Sequence, residues 1–445
     1  MGEEAPPAVQ SEMQRQHFGP PVPSGFLGYL RAFGPGLIMA LTWLGASDLV
    51  SSAVAGSSYG YALLWAPILA FAARFAFVNI IAKYELYNER GESLIGAMLR
   101  IHRSVPIMLL LMAVLLGHFY NAYVISGLGE ATYRIVGPIG TPWMWSLAWI
   151  AAFIVLVFFG AFNTAERIFY VFLAVLSVVF IGLALWVRPS PTGILRGIFL
   201  LQIPPTSGKF GAVLVVISLI GAMAGSLQNL LYPYFMRQKG WSSPKYRRVQ
   251  TYDLLFGTVA VIILDLAVWI VAAEVLHPRG MQVADMGGLA NMFVLVLGQV
   301  GEPIFHAGLL AMMASSTIGL ALGHGYLSQD IMHKLANGPG ASLPPDAVNR
   351  SKAYQLMVLW CLISPFIWSI PGMPGFVPLS IFVNAAAVVL TPILAALVWY
   401  LTGHSRFIGE KYRNGLWSNS MMAVLFALAC YATWQAITTL LIQSL

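Results

Sequence analysis

Two short stretches of small and polar residues interrupt long apolar runs of this chain: Gly45-Ala-Ser-Asp48 and Gly221-Ala-Met-Ala-Gly225-Ser226. Asp48 has the clearest chemistry of the residues in them. A carboxylate at the centre of a bilayer costs at least about 2.5 kcal/mol unless something compensates its charge, and a cation would do so. The same carboxylate can cap the helix that follows it by accepting from the first N–H groups; the two roles can coexist. Glycine and other small residues lower the cost of unwinding a helix, and Ser47 and Ser226 can satisfy the backbone groups that unwinding releases. Taken singly, either stretch serves equally well to let two helices pack closely.

The elements that must position these residues are transmembrane helices. Hydrophobic residues make up 58% of the 445 positions and charged ones 9%, where a soluble domain is about a quarter charged. The apolar runs lie near the roughly 20 residues that span hydrocarbon. They predict eleven spans, near 33 to 59, 61 to 85, 104 to 128, 141 to 161, 165 to 187, 210 to 237, 253 to 276, 303 to 332, 352 to 371, 377 to 402 and 420 to 443. The segment from Gly287 to Leu297 is apolar but too short to cross, and is expected on the outer surface or in the loop before span eight.

Lys and Arg sit in clusters between the runs, among them Lys83, Arg90, Arg100 and Arg103, then Arg237, Lys239, Lys245, Arg247 and Arg248, then Arg406, Lys411 and Arg413. Basic loops resist translocation. This places the N-terminus and these clusters in the cytoplasm and, with eleven spans, the C-terminus outside. The net charge of +7 is therefore an orientation signal, and no nucleic-acid partner is expected. Residues 1–30 hold no apolar core of a signal peptide and are expected to be a flexible cytoplasmic tail. Cys361 and Cys430 lie inside expected spans and form no disulfide framework. No HExxH, GxSxG or phosphate-binding glycine loop is present, so an enzyme is not expected.

Position links the two interrupted stretches. They fall in the middle of spans one and six, which begin two successive sets of five helices. Because five is odd, the second set enters from the opposite side, the layout of an inverted repeat with a midplane site between broken helices. Non-helical backbone at that depth needs a protein-lined cavity. Residues 31–445 therefore read as one transporter domain: a first repeat over 31–188, a second over 210–402, and an extra helix over 420–443. Arg74 in span two and Asp265 in span seven are further intramembrane charges, expected to neutralise each other across the bundle. His118 and His324 are expected to be hydrogen-bonded packing groups, with proton or metal duty the lesser alternative. Asn121 and Gln228 are expected to line the vestibule or to bond between helices, and Ser315, Ser316 and Thr317 to form such bonds.

Gly34-Pro-Gly-Leu-Ile-Met-Ala-Leu-Thr-Trp-Leu-Gly45-Ala-Ser-Asp48 resembles the start of span one in the NRAMP divalent-metal transporters, where GPG is followed by a DPGN motif. Gly308 to Ile318 is similar to the family's eighth span. The resemblance covers residues 30 to 443 and implies an all-α, LeuT-like fold with alternating access. It places Gly45 at the family's metal-binding Asp and Asp48 at its metal-binding Asn, and it puts the family's MPH motif on Gly225, Ser226 and Leu227 with the metal-liganding carbonyl near Ala222. Asn384 matches a glutamine that approaches the ion when the inner gate closes. The acidic and histidine groups that conduct protons in the family correspond to Tyr120, Tyr123 and Leu227.

These departures set the expected substrate. Loss of the thioether moves preference from soft transition metals toward hard ions held by carboxylate, carbonyl and water. Mg²⁺ leads because it keeps several waters and binds through one or two carboxylates, and Mn²⁺ follows. The expected site comprises Gly45, Ser47, Asp48, Ala222, Gly225, Ser226, Gln228 and Asn384, with Asp48, Gly45 and Ala222 nearest the ion. Tyrosine, titrating near pH ~10, is a poor relay, so transport is expected to be uncoupled from protons. The expected partners are the lipid bilayer, of a bacterial inner membrane by preference, and the transported ion, with no cofactor and a monomeric chain. Two other readings stay open: a small anion or neutral solute such as bicarbonate, drawn by half-helix N-termini, and a non-transporting sensor on the same fold.

Overall fold

The computed structural model describes residues 20–34, 45–158, 162–206, 208–224 and 227–444. The described residues form helices and connecting loops, with no strand. In chain order the helices are α1 (Gly25–Ala32), α2 (Ala46–Tyr59), α3 (Trp65–Tyr87), α4 (Leu94–Ile101), α5 (Ser104–Val136), α6 (Pro142–Phe158), α7 (Phe162–Trp186) and α8 (Pro191–Phe199). They continue with α9 (Ala212–Ala224), α10 (Tyr232–Gln238), α11 (Arg247–Val271), α12 (Met286–Leu297), α13 (Gly301–Asn337), α14 (Lys352–Ile363), α15 (Phe376–Ala387), α16 (Thr391–Gly403) and α17 (Leu416–Ser444). Described helix falls within each of the eleven expected positions, with residues 35–44 of the first, 159–161 of the fourth and 225–226 of the sixth lying outside the described residues. Seven described helical segments are long and apolar enough to cross a membrane, or eight if α7 and α8, bent by 109°, are counted as one.

Local chemistry explains several breaks. Pro392 has no N–H to return to the carbonyl of Val388, four residues back. The chain there tightens into a 3₁₀ turn over Val388–Leu390, and Thr433 Oγ1 of α17 donates to that carbonyl at 3.1 Å. Pro233 acts in the same way at the start of α10, which follows a 3₁₀ turn over Leu227–Leu231. The apolar segment from Gly287 to Leu297 forms α12, capped by Asp285, whose Oδ1 accepts from Gly288 N at 2.9 Å. Phe293 on α12 is buried between Phe180 of α7 and Phe305 of α13, which ties this short helix into the bundle beside span eight.

The core follows the same logic. α13 lies along α5, α9 along α15, and α2 is wedged against α9 and α11. Polar contacts tie the helices together at both ends. At one end Tyr59 Oη donates to Phe210 O at 2.6 Å, Trp269 Nε1 to Gly60 O at 2.8 Å, and Val283 N to Ser57 Oγ at 3.1 Å. At the end that carries the basic clusters, Arg237 of α10 pairs with Glu85 of α3, Tyr234 Oη donates to Asp330 at 2.7 Å, and Lys334 pairs with the same aspartate.

Candidate functional site

Two half-length helices meet at mid-chain depth. α2 starts at Ala46, and Gly45 before it is extended (φ −86°, ψ 158°), so the backbone turns out of helix at the glycine of the Gly45-Ala-Ser-Asp48 stretch. α9 ends at Ala224, and the described chain resumes in a 3₁₀ turn. The start of α2 leaves N–H groups without helical partners and carries the positive end of that helix's dipole. Ser51 Oγ and Ser218 Oγ lie 3.1 Å apart and join the two helices beyond these ends.

A cleft opens between them. Its walls come from Gly45, Ala46 and Ser47 at the start of α2, Tyr120, Tyr123 and Val124 on α5, and Ala222 on α9. Gln228, Ser316 and Leu320 of α13, and Asn384 of α15 complete it. A water's centre can occupy about 20 Å³ of it, room for about one water. The Tyr123 phenol engages the Ser47 side chain. Asn384 is 1% exposed, and neither its amide nitrogen nor its amide oxygen has a hydrogen-bond partner among the described residues.

Asp48 lies in the first turn of α2, one residue beyond the cleft wall. It is 1% exposed, and neither carboxylate oxygen has a hydrogen-bond partner of good geometry among the described residues. Its position complements the positive end of α2. Its strongest charged neighbour is Arg74 of α3, itself fully buried, whose Nη2 donates to the Ala222 carbonyl at 2.8 Å. Asp265 of α11 is buried too and feels both Asp48 and Arg74.

Gly45, Ser47, Ala222, Gln228, Asn384, Tyr120 and Tyr123 thus face one cleft, with Asp48 beside it. Leu227 is buried next to Gln228; Gly225 and Ser226 lie outside the described residues. Asn121 turns back to its own helix, Nδ2 donating to Gly117 O at 2.9 Å, and does not line the cleft. His118 is held by Ser364 and by Trp368, whose Nε1 donates to Nε2 at 2.9 Å, and His324 Nδ1 bonds Leu320 O at 2.7 Å; neither lines the cleft. Among the described residues no three His, Cys, Asp or Glu side chains cluster as a metal cage would require.

The sequence pairs Arg74 with Asp265 and keeps both away from the helix breaks. In the structure Arg74 reaches the end of α9 and stands nearer in effect to Asp48 than to Asp265. A charge among apolar residues on its own helix gives no sign of which neighbouring backbone it will reach. The Ser51–Ser218 contact and the part of Ser316 in the wall were equally hidden, because serines among apolar residues occur along the whole chain.

Residues 36–439 match the family described as Natural resistance-associated macrophage protein-like, or Nramp. The divalent metal cation transporter MntH of Bacillus subtilis (strain 168) is 22% identical over 314 residues, covering 67% of this chain and 71% of MntH. The metal transporter NRAT1 of Oryza sativa subsp. japonica is 22% identical over 342 residues, covering 69% of this chain and 59% of NRAT1. A crystal structure of the manganese transporter of Eremococcus coleocola superposes with a TM-score of 0.74 at 17% identity, over 94% of this chain and 88% of that one.

Proposed function

Because the chain belongs to the Nramp family, we propose that it carries a divalent metal cation across a membrane by alternating access between the half-helices α2 and α9–α10. It is a multi-pass membrane protein of LeuT-like fold, not an enzyme. The observation that carries the reading is Asp48: a buried carboxylate with no hydrogen-bond partner of good geometry on either oxygen among the described residues, beside a cleft at the start of α2. Burying a carboxylate is costly; Arg74 offsets part of that cost, and a cation in the cleft would offset more of it.

The ion we favour is hard. The donors available around the cleft are oxygens: the Asp48 carboxylate, the Ala222 carbonyl, the Ser47 and Ser316 hydroxyls and the Gln228 and Asn384 amides. No sulfur is among the described residues of its wall. Oxygen ligands suit Mg²⁺ and Mn²⁺, and the lack of a protein cage suits an ion that keeps some of its waters, as Mg²⁺ does. Manganese has independent support in the likeness to a manganese transporter. A second reading, a small anion, draws on the guanidinium of Arg74 at the same place.

Uptake into proteoliposomes separates these. Mg²⁺ and Mn²⁺ flux is expected in the wild type and is expected to fall at least about tenfold in Asp48→Ala, equal to about 1.4 kcal/mol in the transport barrier. Cation flux unchanged by Asp48→Ala sinks the site assignment. Bicarbonate flux without cation flux replaces the reading with the anion one.

A further inference from the structure

The cation already present in this site is the protein's own. Arg74 comes from α3, outside the two broken helices, and its side chain is driven through an apolar helix to 1% exposure. There its Nη2 donates to Ala222 O at 2.8 Å. That carbonyl lies two residues before Ala224, the last described residue of α9, and the chain resumes at Leu227 as a 3₁₀ turn. Ala222 is also a wall of the cleft. A guanidinium cannot lose its proton under any working condition, so its charge is a permanent part of the site.

The charges around it are two carboxylates, Asp48 and Asp265, both buried. The guanidinium therefore cancels one negative charge that a divalent ion would otherwise meet here. We propose that Arg74 is a tethered counter-cation that competes with the transported ion for the Ala222 carbonyl and for Asp48, and so sets a deliberately weak ion affinity. This rests on the divalent-cation reading of the same site and specifies how that site is tuned. Weak binding suits an abundant ion that must leave again within each cycle; a permanent internal competitor supplies the leaving force that a proton supplies where titratable groups line the path.

The test is binding of Mn²⁺, followed by loss of the free-ion electron paramagnetic resonance signal, to the purified full chain in nanodiscs. Arg74→Gln keeps a donor for the carbonyl and removes the charge; Arg74→Lys keeps the charge; Asp265→Asn removes the carboxylate that shares Arg74 with Asp48. Arg74→Gln is expected to tighten Mn²⁺ binding at least about tenfold and Asp265→Asn to weaken it by a similar factor, with Arg74→Lys within about threefold of wild type. Opposite signs are the signature of charge, because a purely structural role for Arg74 and Asp265 would weaken binding in both. Wild-type binding with Arg74→Gln equal or weaker overturns the proposal and leaves the cation reading standing. Absence of Mn²⁺ binding in both overturns the two together, and binding that appears only in Arg74→Gln supports the proposal. If Arg74→Gln does not fold, Asp265→Asn decides: unchanged or tighter binding overturns it.

Discussion

Gly221 of α9 faces the backbone carbonyl of Asn384 on α15 so closely that a Cβ at Gly221 would collide with that oxygen. The two helices that wall the cleft are thus held at backbone-to-backbone distance by a missing side chain, next to Ala222 and at Asn384 itself.

A single methyl group should separate them. Gly221→Ala forces one backbone to move, an overpacking cost of about 1 to 3 kcal/mol, and displaces both cleft residues. The expected result is a lower melting temperature in detergent together with a loss of transport. Gly182→Ala on α7 is the control, since nothing stands within 4 Å of where its Cβ would lie, and helix propensity favours alanine. Equal melting temperatures for the two variants would show that the helices have slack.

Asn384 offers a substitution that should stabilise the protein and disable it. Its amide is buried with neither heteroatom bonded among the described residues, a penalty of about 1 to 3 kcal/mol for each unsatisfied group. Leucine has nearly the same shape without the polar atoms. Asn384→Leu is expected to melt higher than wild type and to carry Mg²⁺ or Mn²⁺ more slowly, with the loss in KM. A variant that melts lower would mean that the amide has a water or an ion as partner in the resting protein.

The architecture was readable because two periodic signals, apolar length and basic loops, recur along the whole chain and reinforce each other. Gly45 and the start of α2 were readable for a further reason: glycine and serine next to an intramembrane aspartate have few structural uses. Gly221 carries the same composition yet sits inside α9 as a packing residue, and sequence spacing alone does not separate the two uses. Arg74 was legible as an intramembrane charge but not as a member of the site, because its partner is a backbone carbonyl, and a carbonyl has no residue type to recognise. The grouping of Tyr120, Ser316 and Asn384 in one wall depends on three helices far apart in the chain, which only tertiary packing brings together.

The pair of Arg237 and Glu85 closes the basic end, with the Glu85 side chain 5% exposed. Arg237→Ala leaves that carboxylate buried and uncompensated, which costs about 3 to 5 kcal/mol if the end stays shut. Admitting water there relieves the cost. The open state is therefore expected to gain population, seen as at least about tenfold faster maleimide labelling of Ser328→Cys on α13 in a Cys430→Ser background. Ser328 is 2% exposed and Cys430 is exposed. Labelling at the wild-type rate would show that the pair is not a gate.

Movement of the ion without protons is the last expectation. Tyr120, Tyr123 and Leu227 are buried beside the cleft. Two buried phenols and one hydrocarbon make no relay at neutral pH. Arg74 cannot release a proton either. The driving force is then the ion's own gradient and the membrane potential, about 2.3 kcal/mol per charge per 100 mV, so about twice that for a divalent ion. In proteoliposomes holding a pH-sensitive dye, Mg²⁺ or Mn²⁺ uptake should rise when a potassium diffusion potential makes the lumen negative. The lumen should not acidify with uptake. Acidification that requires the ion, and that scales with its flux, would show that a proton path runs through groups other than these three, with Asp48 and Asp265 the carboxylates to test next.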